Sequence, residues 1–339
     1  MAQVTRKSNL RSAKSRLSGD DCWDRRQSDS YFPPREDDQS LKMTCIQDYI
    51  RMARPDRWTQ SVFLFPGALL GSVYSNEAFT ITGLGWLVLA IVSTCLVASS
   101  NYTLNEWLDK EYDSKHRSKM YRPAAMGRIG RVGTYTQWLL LAIMGLSVGA
   151  MIGGWFFLAT SLMFIQGILY NIKPLRTKEI VYLDVVTESV NSPIRFLQGW
   201  FAVQCQTMPA TAILLAFWIF GAYVVTLKRL AELRHLGFAQ ARSYRRSFRH
   251  YTEQRLITLS MFFGVSFGMT ATFAILQEFQ EFMLLLPVLA AILTVCVYLS
   301  MQPDSLLQRP ERLYRSYLLG MLLLLVICLA VCCVLGFRS

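Results

Sequence analysis

From residue 57 onward the chain alternates long apolar stretches with short polar breaks. The stretches fall at 58–75, 80–104, 134–152, 154–172, 181–203, 208–227, 256–277, 281–301 and 313–337. Most approach or exceed the roughly 20 residues a helix needs to cross a bilayer. The pattern predicts an all-α, polytopic membrane bundle of about nine transmembrane helices. Only Gly153-Gly154 divides the third from the fourth. Residues 1–42 have the opposite character: they are rich in Ser, Arg, Lys and Asp, carry Pro33-Pro34 and lack the apolar region of a signal peptide. They are expected to be a disordered cytosolic tail, followed by a membrane domain at 43–339.

Composition agrees with the pattern. Apolar residues make up 53% of the chain, and mean hydropathy is +0.28. The formal charge of +12 has two simple readings, nucleic-acid binding or a positive-inside topology. The position of the charges separates them. Lys and Arg crowd loop 109–133, the next loop (Lys173, Arg176, Lys178), the stretch 228–255, and then Arg309, Arg312 and Arg315. The alternate loops, around Glu77, Gly153, Gln204 and Glu278, have none. The basic loops and the tail are therefore placed in the cytosol, and no nucleic-acid partner is needed. Cys95, Cys296, Cys328, Cys332 and Cys333 sit inside apolar runs, as small buried hydrophobes do, without metal-ligand spacing.

The candidate chemistry lies where the second stretch ends. Asn105, Asp109 and Asp113 stand four residues apart, so on a helix they share one face. Lys115, His116, Arg117, Lys119 and Arg122 follow at once. A stripe of oxygen donors and then a run of cations suits Mg²⁺ and a diphosphate held together; a solvated helix end is the plainer alternative. A second stripe, Asp184, Glu188, Asn191 and Arg195, follows Tyr170, Lys173, Arg176 and Lys178 and is expensive to bury unless it lines a cavity. A structural Asp184–Arg195 or Glu188–Arg195 pair is its alternative, and Pro193 favours a kink there. Arg54 and Arg57 flank the entrance to the first helix, and Lys228-Arg229 with Glu232 opens a basic loop that continues through Arg242, Arg245, Arg246, Arg249, His250 and Tyr251. That loop suits a phosphate-binding lid.

These residues resemble the UbiA superfamily of intramembrane prenyltransferases over about 47–337. The likeness rests on Asn105-x-x-x-Asp109-x-x-x-Asp113, on the second motif at Asp184 and Glu188, and on Tyr170-x-x-Lys173-Pro174-Leu175-Arg176. The resemblance implies a bundle of about nine spans with Mg²⁺-diphosphate chemistry at the cytosolic mouth. Within the superfamily, Asn105, Asp109, Asp113, His116, Lys119, Arg122, Pro123 and Lys228-Arg229-x-x-Glu232 are similar to the decaprenyl-phosphate phosphoribosyltransferase branch. That branch joins phosphoribosyl pyrophosphate to a polyprenyl phosphate. Gln60-Ser61 departs from the Lys-Asn usual in the branch, and Glu106 stands where Asp is common.

Carried over, Asn105, Asp109, Asp113, Asp184 and Glu188 are the metal set, the last four also being the catalytic carboxylates. Arg54, Lys119, Arg122, Tyr170, Lys173, Arg176, Lys178, Arg195, Lys228 and Arg229 are the substrate-binding set. The implied partners are a polyprenyl lipid, a diphosphate-containing co-substrate and the membrane, and self-association is left open. A prenyltransferase acting on an aromatic or other acceptor is the alternative, and a non-catalytic lipid carrier the minor one. In a bacterium the resemblance implies the inner or cell membrane, with the active site facing the cytoplasm.

Overall fold

The helix that carries the first stripe, α3 (Ile81–Asp113), is 33 residues long, or about 50 Å at 1.5 Å per residue. An apolar run fills its first part, so its last turns emerge beyond a hydrocarbon core of ~30 Å. The structure, a computed structural model, describes residues 46–75, 81–115, 119–203, 207–244, 246–302 and a few positions within 305–329. The expected tail at 1–42 and most of the expected span at 313–337 lie outside the described residues, as do His116, Arg117 and Arg245.

Every described element is helical. The remaining helices are α1 (Ile46–Ala53), α2 (Leu64–Tyr74), α4 (Arg131–Ile152), α5 (Gly154–Asn171), α6 (Leu183–Ser189), α7 (Asn191–Ala202), α8 (Thr211–Tyr244), α9 (Glu253–Glu278) and α10 (Leu285–Met301). Among the described residues five helices are long and apolar enough to cross a membrane. They correspond to α3, α4, α8, α9 and α10 with its preceding turn.

Two expected spans look different. The first, 58–75, begins as a 3-10 stretch, Pro55–Phe63, and becomes α-helical only at Leu64. Pro66 has no N–H to offer the carbonyl of residue 62, so the regular ladder starts only around it. The span 181–203 divides into α6 and α7 at Val190. Pro193 cannot donate to Ser189, which interrupts the ladder at that level. Asp184 and Glu188 thus sit on one short helix and Arg195 on another.

Tight crossings hold the bundle. A Cβ on Gly67 would lie 2.0 Å from the Phe196 carbonyl oxygen, and one on Gly199 would lie 1.9 Å from that of Leu64. α2 and α7 therefore meet backbone to backbone, the way small residues serve in membranes, where burial against lipid drives little. At the α3–α4 contact Ser93 donates to the Gly145 carbonyl at 2.7 Å. Asn101 likewise donates to the Met163 carbonyl of α5 at 2.9 Å. Phe196, Trp200, Phe201 and Ile213 form the apolar centre with Phe279 and Phe282. Leu139, Leu140, Ile143 and Met144 on α4, and Met261, Phe262, Val265 and Met269 on α9, are exposed. Broad apolar faces of this kind are tolerable against lipid.

Candidate active site

The last turns of α3 meet two connections at one end of the bundle. The loop between α5 and α6 folds back on α3, where Arg176 and Lys178 donate to Asp109 Oδ1 at 2.8 and 2.6 Å. Lys178 also donates to Asn171 Oδ1 at 2.8 Å, and the same oxygen accepts from Asn105 Nδ2 at 2.7 Å. One turn further along α3, Asp113 pairs with Arg122 from the following loop. The sequence stripe is therefore real in space, with its carboxylates turned to cations.

The second acidic pair is organised by α8. Arg229, buried to 2% exposure, donates to Asp184 Oδ2 at 3.1 Å and pairs with Glu188. Lys228 reaches Glu188 Oε1 at 2.9 Å, and the Tyr170 hydroxyl donates to Glu188 Oε2 at 2.8 Å. Asp184 is fully buried and also accepts from the Tyr251 hydroxyl at 2.7 Å and from Ser247 at 3.4 Å. Burial above all, and then the Asp184 charge, pushes the Tyr251 hydroxyl well above the usual tyrosine range, so it stays a donor.

Two links join the sides. Lys119 lies 3.4 Å from Glu232 Oε1, and Glu232 lies 3.7 Å from Arg229. Glu179 pairs with Arg176 at 2.6 Å and with Arg246 at 3.4 Å. The three basic connections therefore gather at one end, as the charge pattern requires.

Arg54 is turned inward, 3.2 Å from Glu106 and 5.7 Å over the Tyr102 ring. Burial lowers its pKa most, the neighbouring Arg122 adds to this, and Glu106 opposes both. The Glu106 departure thus has a partner suited to its extra length. Gln60 is explained too: it accepts from Arg195 at 3.2 Å through its side chain and 3.3 Å through its backbone, and from Tyr102 at 3.0 Å. Arg195 is therefore neither the partner of Asp184 nor of Glu188, because it stands beyond the α6–α7 break. Its buried Nε has no acceptor among the described residues. Lys173 is exposed on the loop.

The non-glycine residues with left-handed backbone among those described are Arg54 (φ 53°), Arg176 (φ 31°) and Tyr182 (φ 65°). All three border this end of the bundle, which is where such strain is retained when it positions a side chain. Sequence reasoning missed Asn171, Ser247 and the inward role of Tyr251. Asn171 directly follows Tyr170 and was legible; the other two depend on a fold-back of 63 and 67 residues onto Asp184.

Comparison with known proteins places the chain in a family. The profile of the UbiA prenyltransferase family matches residues 63–318, more than half of the chain. The chain belongs to the UbiA prenyltransferase family. A solved UbiA homolog from Archaeoglobus fulgidus, bound to GPP and Mg²⁺, superposes with a TM-score of 0.65, covering 85% of this chain and 99% of that one. At 18% identity it shares the fold. Decaprenyl-phosphate phosphoribosyltransferase of Mycolicibacterium smegmatis is 26% identical over 217 residues, 62% of this UbiA chain and 64% of the relative. Bacteriochlorophyll synthase 33 kDa chain of Cereibacter sphaeroides is 28% identical over 131 residues, 38% of this chain and 41% of the relative. The chain thus spans less than two thirds of both relatives' length. As a UbiA protein with helices of this length and apolarity, it is an integral membrane protein.

Proposed function

We propose that this UbiA chain is a multi-pass transferase that uses Mg²⁺ to move a phosphoribosyl group from phosphoribosyl pyrophosphate to a polyprenyl phosphate, releasing pyrophosphate. The observation that carries this reading is the meeting of the α3 stripe and the Asp184–Glu188 pair with cations from three connections at one end of an apolar bundle. The positive-inside pattern supports a cytoplasmic position for that end. The division into a disordered tail at 1–42 and a catalytic domain at 43–339 belongs to the same proposal.

The donor chemistry fits the metal. Asn105, Asp109 and Asp113 offer hard oxygen ligands on one face, with Asp184 and Glu188 as a second supply. Among the described residues no three acidic, His or Cys groups form a ready-made cage. Mg²⁺ needs none, since it takes one or two carboxylates and completes its shell with waters and substrate phosphates. When bound, it supplies neutralisation of the negative charge developing on the leaving diphosphate.

The protein's own residues do the rest. Each site carboxylate already balances a cation, so a metal and a polyanion entering together exchange partners without stranding a buried charge. Asp109 and Asp113 would turn to the metal, with Asn105 assisting. Lys119, Arg122, Arg176, Lys178, Lys228 and Arg229 would turn to phosphate oxygens. Tyr170 would hold Glu188 and the diphosphate in register. The Arg195 Nε, which has no acceptor among the described residues, supports a ligand role for that residue, while Arg54 supports the mouth from behind Glu106, and Lys173 is exposed on the connection between α5 and α6. Extra cations favour a donor that bears both a sugar phosphate and a diphosphate, and the name carried by the Mycolicibacterium smegmatis relative supports the same donor.

Prenyl transfer from a prenyl diphosphate is the second reading, favoured by the bacteriochlorophyll synthase match and by the homolog bound to GPP. Purified protein incubated with Mg²⁺, labelled phosphoribosyl pyrophosphate and polyprenyl phosphate should yield labelled lipid and pyrophosphate. No labelled lipid, with turnover of a prenyl diphosphate in a parallel reaction, would reject the first reading in favour of the second.

A further inference from the structure

The basic loop after α8, read from sequence as a lid, faces two ways. Its 3-10 turn, Arg246–Arg249, buries Ser247 and Phe248 and exposes Arg246 and Arg249. Tyr251 is buried, whereas His250 and Arg255 are exposed. The inward residues reach Asp184. The outward residues, with Glu179, Ile180, Val181 and Tyr182, line an open groove of about 590 Å³.

Three features of this groove point to a ligand. Its charge is positive: the Glu179 carboxylate pairs with Arg246, which leaves Arg249 and Arg255 to set the sign. Arg255 is steadied on the rim, donating from Nη1 to the His250 carbonyl at 2.9 Å. The opposite wall is apolar and exposed, with Ile180 at 48% and Tyr182 at 45%. The groove also stands between the end of the span Thr211–Phe238 and the start of the span Glu253–Glu278. A cationic, apolar-walled hollow beside two span ends suits the headgroup layer, where an arginine fork meets a phosphodiester and an aromatic ring meets the glycerol and upper acyl chain.

We propose that this groove binds the headgroup of an anionic membrane phospholipid, at a place separate from the substrate phosphates. It lies on the outer side of the same turn whose inner side holds Asp184. Tyr251 forms the wall between them, accepting from the Tyr182 backbone N–H at 2.9 Å and donating to Asp184. The lipid would thereby fasten the loop that keeps Asp184 in place. The site stands whether the transferred group is phosphoribosyl or prenyl.

The test is lipid retention by the full chain in native mass spectrometry, with phosphatidylglycerol and phosphatidylcholine offered in equal amounts. The wild type should retain phosphatidylglycerol in preference. The combined substitution Arg246→Gln, Arg249→Gln, Arg255→Gln should reduce that retention by about tenfold or more. A charge-matched control, Arg51→Gln, Lys115→Gln, Arg131→Gln, should leave it unchanged, and the single surface reversal Arg249→Glu should weaken it even if the triple variant folds poorly. Equal retention of the two lipids, or undiminished phosphatidylglycerol on both Arg249 variants, overturns the proposal. Displacement of the lipid by millimolar inorganic phosphate would assign the groove to a free anion and overturn it as well.

Discussion

Arg229 shows how much a single side chain organises here. It is buried among Asp184, Glu188, Glu232 and the Tyr170 hydroxyl. Arg229→Met should leave fully buried Asp184 without its cation, Glu188 keeping Lys228, and cost about 3–5 kcal/mol, read as a fall in melting temperature in detergent, while Arg229→Lys should lose less. Tyr251→Phe removes a donor from fully buried Asp184 and should cost about 1–3 kcal/mol. Its pH dependence has a definite sign. Because the folded-state pKa is raised, the stability Tyr251 contributes is fully present below the unfolded value of about 10 and is lost as pH rises beyond it. Melting temperatures followed from pH 8 to 11 should therefore fall less steeply in Tyr251→Phe than in the wild type. The α3 stripe was legible because its members lie one helical turn apart. The Arg229–Asp184 pair was not, since 45 residues separate its partners and only helix packing unites them. The Asp184–Arg195 or Glu188–Arg195 pair that the stripe allowed does not form, because the helix is cut at Val190.

At the scale of elements, the long apolar helices were the most legible part, because a bilayer demands length and hydropathy of any span. α4 and α9 lie within a few residues of the expected 134–152 and 256–277. The shorter pieces were not, because Pro66 and Pro193 act on hydrogen bonds that a hydropathy pattern does not record. α2 and α7 nonetheless make one of the tightest contacts in the bundle. Gly199→Ala would drive a methyl into the Leu64 carbonyl, and the carbonyl cannot rotate away as a side chain could. A loss of about 1–3 kcal/mol is expected, seen as earlier aggregation on heating. Gly85→Ala, which meets open space, should be neutral or slightly stabilising.

At the scale of the molecule, the alternation of basic and uncharged loops foretold which connections share an end, and the ion pairs Asp109–Lys178 and Lys119–Glu232 join three of them. The topology has a direct test. In sealed vesicles of one orientation, and with the native cysteines replaced by Ser, Tyr121→Cys and Leu175→Cys should react with an impermeant thiol reagent from one side, and Met208→Cys from the other. All three positions are exposed, so reaction of Met208→Cys from the same side as the others would reverse the proposed arrangement. The proposed exchange of ion pairs for metal and phosphate would also make the two ligands cooperative. Calorimetry should show Mg²⁺ binding tightened by about tenfold or more when diphosphate is present; equal Mg²⁺ affinity with and without it would argue against partner exchange. The central claim is that the α3 carboxylates hold the metal that lets the diphosphate leave. The most direct measurement is diphosphate release from the turned-over donor as Mg²⁺ is titrated, in wild type, Asp109→Asn and Asp113→Asn. Release should depend on Mg²⁺ in the wild type, vanish with chelator, and fall by about 100-fold or more in each variant at unchanged elution from size exclusion. Full Mg²⁺-dependent release by both variants would contradict it.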